Sequence, residues 1–499
     1  MPYIAVTLRK TVDGREVIVV RPGEYTVKSR GTRRWFDRLL ARNLGEALRS
    51  EGYTGEVRRE WGRLYVYAER DAVEALRRVF GVRSLSPALE VEYSGLEDLL
   101  VKAEKYFADK VAGRVFAVRA RRSWAEGFTS LDVERLLGAR LAGYARGVDL
   151  EEPEVTAYVE VRGRRAYFYT EVIPGYGGLP IGSEGRALAL FSGGHDSPVA
   201  AWYIMRRGAK VDLVFFNVGG EAYLRAVFPV AKVLGSKWSY GYRQRLYVVP
   251  FSSAMRVIAE RVKPSLVHIV FKRLIYRGAE VLAERVGAEA LVTGESLGQV
   301  SSQTMRNLRV TDEAVRLPVF RPLIGLDKED IVAVAREIGT YRYSSLVKEY
   351  CGAFSVRPAT HADPEAVARE EAKLPGRLLD DALEQVEVVD VRGIELEGGI
   401  GDLEVDYPPP GSVIVDLRPR EKYSRRSIPG SIHMDFHSIF AGEGSLDPSK
   451  TYVFVCDEGA LSREAALYLR RKGFRAYSLR GGIRKALRRL GEGGRRSPT

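Results

Sequence analysis

The chain holds 499 residues, enough for three or four domains that each bury a core of their own. Lys and Arg outnumber Asp and Glu by 78 to 65, and the isoelectric point of about 9.5 points to a polyanionic partner, nucleic acid ahead of membrane. No apolar run reaches 18 residues and Met1 to Lys10 lacks an apolar h-region, which argues against a membrane span and for a soluble, cytoplasmic protein.

The pattern along the chain predicts an α/β multidomain protein. Residues 1–62 open with a strand-like Tyr3-Ile4-Ala5-Val6-Thr7-Leu8. A second run, Val17 to Arg21, and an amphipathic helix over Arg33 to Arg49 complete a small ferredoxin-like unit. Residues 63–172 read as a second α+β module, with helices over Leu96 to Val111 and Leu131 to Tyr144. Its strands are Val115 to Ala120, Val155 to Val161 and Arg165 to Thr170, and Arg119, Arg121 and Arg122 make it basic. Gly175 to Pro180 is a hinge-like entry to residues 173–363. There Ala187 to Phe191, Val211 to Asn217, Leu246 to Pro250 and Ala290 to Thr293 alternate with helices, the pattern of a doubly wound parallel sheet. Residues 364–411, acidic and ending Pro408-Pro409-Pro410-Gly411, read as a helical arm and linker. Residues 412–499 open with strand Val413 to Asp416 and continue with Tyr452 to Val455 as a smaller α/β unit, with a tail from Gly491 expected to be unstructured.

One segment carries unusual chemistry. Leu188-Ala189-Leu190-Phe191 runs as a buried strand into Ser192-Gly193-Gly194-His195-Asp196-Ser197, and a helix follows with Pro198 in its first turn. Unpaired N–H groups and the positive end of the helix dipole then face the glycine turn, an anion cradle suited to pyrophosphate. No lysine follows the glycines, so the segment is not a Walker loop. Amides are scarce, three Asn and four Gln, a composition suited to high temperature. Gln299, Gln303 and Asn307, spaced by four, are therefore expected on one helical face of a site that needs neutral donors and acceptors.

The two cysteines, Cys351 and Cys456, have no CxxC neighbour, so neither a zinc site nor an iron–sulfur cluster is expected and no metal ligands are assigned. Cys456 ends a strand and opens the loop Cys456 to Arg463, ahead of a helix over Glu464 to Lys472. Backbone N–H groups there stabilise a thiolate or persulfide, with Arg463 adding positive charge. Asp457 and Glu458 disfavour a phosphate guest, against a phosphatase-like reading of the loop.

The Cys456 loop, with Asp416-Leu417-Arg418, Ile428-Pro429-Gly430-Ser431-Ile432-His433 and Arg480-Gly481-Gly482-Ile483, resembles a rhodanese domain, four motifs in that family's order. The Ser192 to Ser197 string resembles the PP-loop of enzymes that adenylate a carbonyl or carboxyl. Nearly the whole chain resembles the tRNA 4-thiouridine synthetase family, also linked to thiamine thiazole synthesis. The marks are Pro22-Gly23-Glu24 with Lys28-Ser29, Phe80-Gly81-Val82 with Ser84 to Pro87, Gly177-Gly178-Leu179-Pro180, Thr293 to Gln303, and Arg321 to Lys328. The resemblance implies a ferredoxin-like domain over 1–62, a THUMP RNA-binding domain over 63–172, a PP-loop domain over 173–363 and a rhodanese domain over 412–499.

By the same likeness, ATP is bordered by Leu190, Phe191, Phe215 and Phe216, cradled by Ser192, Gly193, Gly194 and Ser197, and completed by Lys272, Gly294 and Gln303. Asp196 is carried over as essential, orienting Mg2+ or holding the loop. The family also places arginine at the Lys272 position and often histidine at the Phe215 position, which leaves backbone or stacking contact at Phe215. The implied reaction adenylates O4 of uridine 8 in tRNA and then delivers sulfur from a Cys456 persulfide loaded by a cysteine desulfurase. Either the terminal sulfur attacks directly, or Cys351 releases sulfide by forming a Cys351–Cys456 disulfide, and a thiol reductant resets the pair. Cys351 alone reads as a core cysteine; the need for a resolving thiol gives it this role. Bringing the two cysteines together calls for domain motion or a homodimer partner. A rhodanese-type sulfur carrier for thiamine synthesis without tRNA is the alternative, and an RNA-binding module with a degenerate catalytic domain a second one.

Overall fold

The computed structural model describes every residue except 1–11, 61, 126, 348–357, 397–402, 442–445, 458, 484–486 and 488–499. The expected strand at Tyr3 to Leu8 and the tail from Gly491 lie outside the described residues, as do Cys351 and Glu458. The chain divides into two compact units. One is residues 1–184 with short returns at 206–209 and 240–242, and the other holds the remainder.

The first unit is built on a nine-stranded sheet. Its spatial order is Gly55–Glu60, Arg63–Ala68, Arg15–Pro22, Val82–Glu92, Arg165–Tyr169, Val155–Arg162, Val115–Ser123 and Gly147–Val148, with Ile173–Pro174 paired beside Val82–Glu92. The helix Arg30–Ser50, started by the Ser29 hydroxyl accepting the Thr32 N–H (3.4 Å), covers one core of Ile18, Val20, Leu40, Leu44, Leu64, Val66, Leu76 and Leu85. Helices Leu96–Val111 and Ser130–Leu141 cover a second core around Phe107, Phe116, Leu137 and Phe168.

A division at residue 62 does not follow this packing. Arg63–Ala68 pairs antiparallel with Arg15–Pro22, and Leu64, Val66 and Leu85 share a core with Ile18, so the ferredoxin-like unit continues into the strand Val82–Glu92. The long strand joins the two halves, because its first part pairs with Arg15–Pro22 and its last residues with Arg165–Tyr169.

The second unit carries two sheets. The larger runs Val319–Phe320, Ala290–Val292, Arg186–Leu190, Lys210–Asn217, Arg245–Pro250 and Glu387–Asp390, parallel except for the last strand. From Arg186–Leu190 the chain builds outward to one side and then returns to lay Ala290–Val292 on the other, so the order reverses beside Arg186–Leu190. In such sheets the crevice beyond the strand ends at that reversal is where ligands sit.

The stretch 364–411 is more than an arm and linker. Asp363 caps Pro364–Glu371 through the Ala366 N–H (3.1 Å), and Glu387–Asp390 closes the large sheet antiparallel to Arg245–Pro250. The smaller sheet is parallel, ordered Glu404–Val405, Arg475–Leu479, Thr451–Val455, Val413–Asp416 and Ile432–His433. Its first strand precedes residue 412, so the C-terminal module begins inside the expected linker.

Candidate active site

The glycine turn lies in the crevice. Strand Arg186–Leu190 ends with Leu190 half-buried, and the Phe191 N–H reaches the Val214 carbonyl (2.8 Å). The turn is braced from inside: Ser192 N–H donates to Ser197 Oγ (3.1 Å), Gly194 N–H to Ser192 Oγ (3.4 Å), and the Ser192 carbonyl accepts from Tyr223 Oη (3.2 Å). Gly193 sits at φ +74°, where a Cβ would also meet Val227 at 2.8 Å. Helix Asp196–Arg206 then begins, leaving its first N–H groups without intrahelical partners.

The second wall comes from the chain after Ala290–Val292. A Cβ at Gly294 would lie 2.7 Å from the Asp196 carbonyl carbon and the Ser197 nitrogen, so only glycine lets the two turns touch. Asp196 is held on both oxygens, by Lys328 Nζ (2.6 Å) and Gln299 Nε2 (3.1 Å). Lys328 was present in the Arg321 to Lys328 motif, but the sequence gives no sign of its partner. Gln299 Oε1 is buried and has no partner among the described residues. His195 Nδ1 meets Ser344 Oγ (2.8 Å) and its ring stacks on Tyr341. Burial, with Lys328 nearby, pushes that imidazole below its ordinary value, so it is neutral at neutral pH.

Lys272 does not stand free beside this loop. Its ammonium is 2.6 Å from Glu295 Oε1, while Glu295 Oε2 accepts from Tyr276 Oη (2.7 Å), Arg321 Nε (2.7 Å) and Thr293 Oγ1 (3.1 Å). Phe215 and Phe216 are core residues: the first packs edge-on to Tyr223, the second to Phe251. Their backbone, more than their rings, is what they offer the crevice. The three amides do not share a helical face. Gln299 is in a turn, Gln303 in the short helix Ser301–Gln303 and Asn307 in Met305–Asp312. Gln303 Oε1 accepts the Ser296 N–H (3.2 Å), and buried Asn307 ties Ser301, Ala359 and Ala362 together. Only Gln299 touches the turn.

The candidate sulfur site is in the smaller sheet. Cys456 follows Thr451–Val455, is 4% exposed, and its Sγ accepts the Gly459 N–H (3.0 Å) with Ser462 Oγ at 3.5 Å. Gly459 is at φ +90°, and the helix starts at Ala460, four residues earlier than expected, so Ser462 and Arg463 belong to its first turn. Arg463 is bound to carbonyls, those of Gly459 (3.2 Å) and Leu346 (3.0 Å). Arg418, locked to Asp416 (2.7 Å), is within electrostatic reach of Cys456, and its carbonyl meets His433 Nε2 (2.7 Å). The separated rhodanese-like motifs thus form one bonded assembly.

In the first unit a cleft of about 920 Å³ is lined by Arg21, Arg33, Arg83, Arg119 and Arg121 beside Tyr158 and Tyr169. Arg122 turns its guanidinium to the Ala125 carbonyl instead.

A tRNA sulfurtransferase from Pyrobaculum aerophilum is 44% identical over 93% of this chain and 96% of its own length. The chain belongs to the tRNA sulfurtransferase family. A second relative of that name, from Desulfurococcus amylolyticus, is 39% identical over 93% of this chain and 97% of its own. Family patterns match in the same order: the ThiI ferredoxin-like domain over residues 17–86, the THUMP domain over 93–171, the thiamine biosynthesis protein (ThiI) over 182–375 and the rhodanese-like domain over 394–488. Among solved structures, a 4-thiouridine synthetase–RNA complex with bound ATP is similar with a TM-score of 0.67 and 31% identity, covering 75% of this chain and 99% of that one. A Pyrococcus horikoshii protein, PH1313, follows at TM-score 0.53 and 29% identity, covering 65% and 99%. Among the described residues no helix is long and apolar enough to cross a membrane.

The electrostatics of this family member give a testable result. Burial opposes ionisation of Glu295, yet Lys272 and Arg321 beside it hold the carboxyl down at about 2. A depressed carboxylate stabilises the fold above its unfolded value and loses that contribution as pH falls through its folded one, here from about 4.5 toward 2. Glu295→Gln removes this acid dependence and, by leaving Lys272 without its counter-charge while Arg321 keeps Asp312, costs about 3 kcal/mol at neutral pH. Guanidinium unfolding at a series of pH values measures both.

Proposed function

We propose that this sulfurtransferase is ATP-dependent, acts in the cytoplasm and makes 4-thiouridine at position 8 of tRNA. The observation that carries the reading is the crevice itself. Two turns meet where no Cβ fits, a helix N-terminus points in, and a buried amide oxygen awaits a donor. The close turns and the helix N-terminus suit a triphosphate, and the Gln299 oxygen suits an O–H or N–H donor, with Ser192, Gly193, Gly194 and Ser197 around the phosphates and Leu190, Phe191 and the backbone at Phe215 and Phe216 along the nucleoside. Gly294 and Gln303 shape the opposite wall. Lys272 would reach a phosphate only by leaving Glu295; Lys328, half-exposed on Asp196, is the readier cation. Mg2+ would come with the phosphates, with Asp196 as the loop's own carboxylate. When bound, ATP supplies the adenylyl group that turns uridine O4 into a leaving group.

The arginine cleft supports tRNA binding, since phosphate contacts supply most of such affinity. For the sulfur step, Cys456 accepts a terminal sulfur from a cysteine desulfurase as a persulfide. That sulfur bonds to C4 as AMP leaves. The Cys351 thiolate then attacks Cys456 Sγ, the sulfur–sulfur bond to tRNA breaks, and a Cys351–Cys456 disulfide remains for a thiol to reduce. Prior attack of Cys351 on the persulfide, releasing sulfide, balances equally. Sulfur donation to thiamine thiazole synthesis uses the same persulfide. Among the described residues Arg463 binds the Leu346 carbonyl, five positions before Cys351 in sequence, which favours a relay within one chain over a homodimer partner.

The test is thiolation of unmodified tRNA at high temperature with ATP, Mg2+ and either a persulfide or a sulfide donor. Wild type makes 4-thiouridine with both; Cys456→Ala fails with persulfide and works with sulfide. Wild type that makes none while keeping sulfurtransferase activity overturns the tRNA assignment. Gly294→Ala, which forces the two turns apart, lowers tRNA-dependent ATP turnover at least tenfold, as AMP release measures, and leaves thiosulfate sulfurtransferase activity unchanged.

A further inference from the structure

Two consecutive residues behind the Cys456 loop, Arg463 and Glu464, reach out of their own module. The Glu464 carboxylate accepts the backbone N–H groups of Glu221 (3.2 Å) and Ala222 (2.6 Å), the first turn of helix Gly220–Lys237. That helix has no side-chain cap of its own, because Gly219 stands at its N-cap. A carboxylate from the C-terminal module therefore satisfies donors that the helix leaves open and complements the positive end of its dipole. Gly220 is at φ +73°, and a Cβ there would lie 2.8 Å from the Glu464 carboxylate, so the fit is tight from both sides. Arg471, two turns along the same helix as Glu464, pairs with Glu221. Ala222 packs into the same apolar cluster as Cys456.

These contacts join the sulfur loop to the nucleotide crevice by short routes. Glu464 holds the turn that leads to Tyr223, whose hydroxyl binds the Ser192 carbonyl. Arg463 holds Leu346, which follows Ser344, the partner of His195 in the glycine turn. Docked in this way, Cys456 is almost wholly buried. A protein donor cannot present a persulfide to a sulfur in that state.

We infer that Glu464 is a positioning residue: with Arg463 it latches the C-terminal module onto the adenylation module for sulfur delivery, and the latch must open for Cys456 to be loaded. The inference rests on the sulfur relay proposed above, but its first readout needs neither tRNA nor ATP. In a Cys351→Ser background Cys456 is the only thiol, so its alkylation by iodoacetamide reports how often the latch opens. Glu464→Lys, which sets a cation against the positive helix end, raises the alkylation rate at least tenfold; Glu464→Gln, which keeps shape and one acceptor, raises it less. Gly220→Ala opens the same latch from the other side without altering the C-terminal module, so a faster rate there cannot come from damage to the cysteine loop. In otherwise wild-type chains preloaded with persulfide, the same substitutions slow single-turnover thiolation by tenfold or more, while thiosulfate sulfurtransferase activity, which needs only access to Cys456, does not fall. Equal alkylation rates in wild type, Glu464→Lys and Gly220→Ala overturn the latch and leave the tRNA assignment standing. Faster alkylation in a protein that thiolates no tRNA overturns that assignment and leaves the latch.

Discussion

The site depends on how closely two strand ends approach each other. Arg186–Leu190 and Ala290–Val292 lie side by side, and the turns that follow them touch backbone to backbone at Gly294, where a Cβ would stand 2.7 Å from the neighbouring main chain. That contact has consequences in both directions along the chain. It sets the start of helix Asp196–Arg206 against the crevice, so the dipole and open N–H groups face inward. It brings Gln299 and Lys328, both downstream of Gly294, onto the two oxygens of Asp196. It also buries Glu295, the next residue, where an unpartnered carboxylate would be costly. Lys272, Arg321, Tyr276 and Thr293 offset that cost by surrounding it with charge and donors.

Much of this was legible in the sequence, and the limits have physical reasons. The four central strands of the large sheet are buried on both faces, so their apolar runs stand out against the polar turns between them. The cysteine loop was legible because strand, turn glycine and helix must follow one another directly in the chain. The boundary at residue 62 misled because the strand Arg63–Ala68 alternates like any other, and nothing local says which neighbour it pairs with. Strand Glu387–Asp390 is short, mostly exposed and acidic, and only its pairing with Arg245–Pro250 makes it a strand. The even spacing of Gln299, Gln303 and Asn307 suggested one helix, yet turn and short-helix geometry intervene and send each amide to a different partner. Partners such as Lys328 for Asp196, 132 residues apart, are fixed by topology and leave no local trace.

The few amides of the chain show what a heat-adapted composition keeps. Asn43 binds the Ile181 carbonyl, Gln244 the Val211 carbonyl, Asn217 the Gly220 carbonyl, and Asn307 three backbone groups. These are buried or half-buried tasks that need a neutral donor, joined at Asn217 and Asn307 by an acceptor, which a charged side chain could fill only with a desolvation cost. Elsewhere the chain uses Arg and Glu. In the first unit Arg63 and Arg162 converge on Glu160, itself 1% exposed, an arrangement whose desolvation cost shrinks as temperature rises.

A persulfide sets conflicting demands on the protein that carries it. Its outer sulfur is reactive toward any thiol, so it must be shielded between loading and use. In the proposed relay the donor is a protein surface, and the sulfur has to meet it in the open. A rigid two-module enzyme could satisfy one demand only. In this chain Cys456 sits against the N-terminal turn of helix Ala460–Arg471, and that helix also carries Arg463, Glu464 and Arg471, the side chains that grip the module of the large parallel sheet. Cys456, clamp and counter-charge therefore belong to one body. In the latch inferred above, shielding and delivery become the same event, because the residues that set the loop beside the turn of Tyr223 and the segment of Leu346 share one helix with Ser462, which lies 3.5 Å from Cys456 Sγ. The partner for this clamp is a helix end that lacks a cap. An exposed helix N-terminus can be solvated by water when the module leaves, so opening uncovers little apolar surface beyond Ala222 and strands no buried charge on that side. A polar, replaceable contact of this kind is what a reversible dock requires, where a large apolar interface would hold the sulfur permanently shut away from its donor.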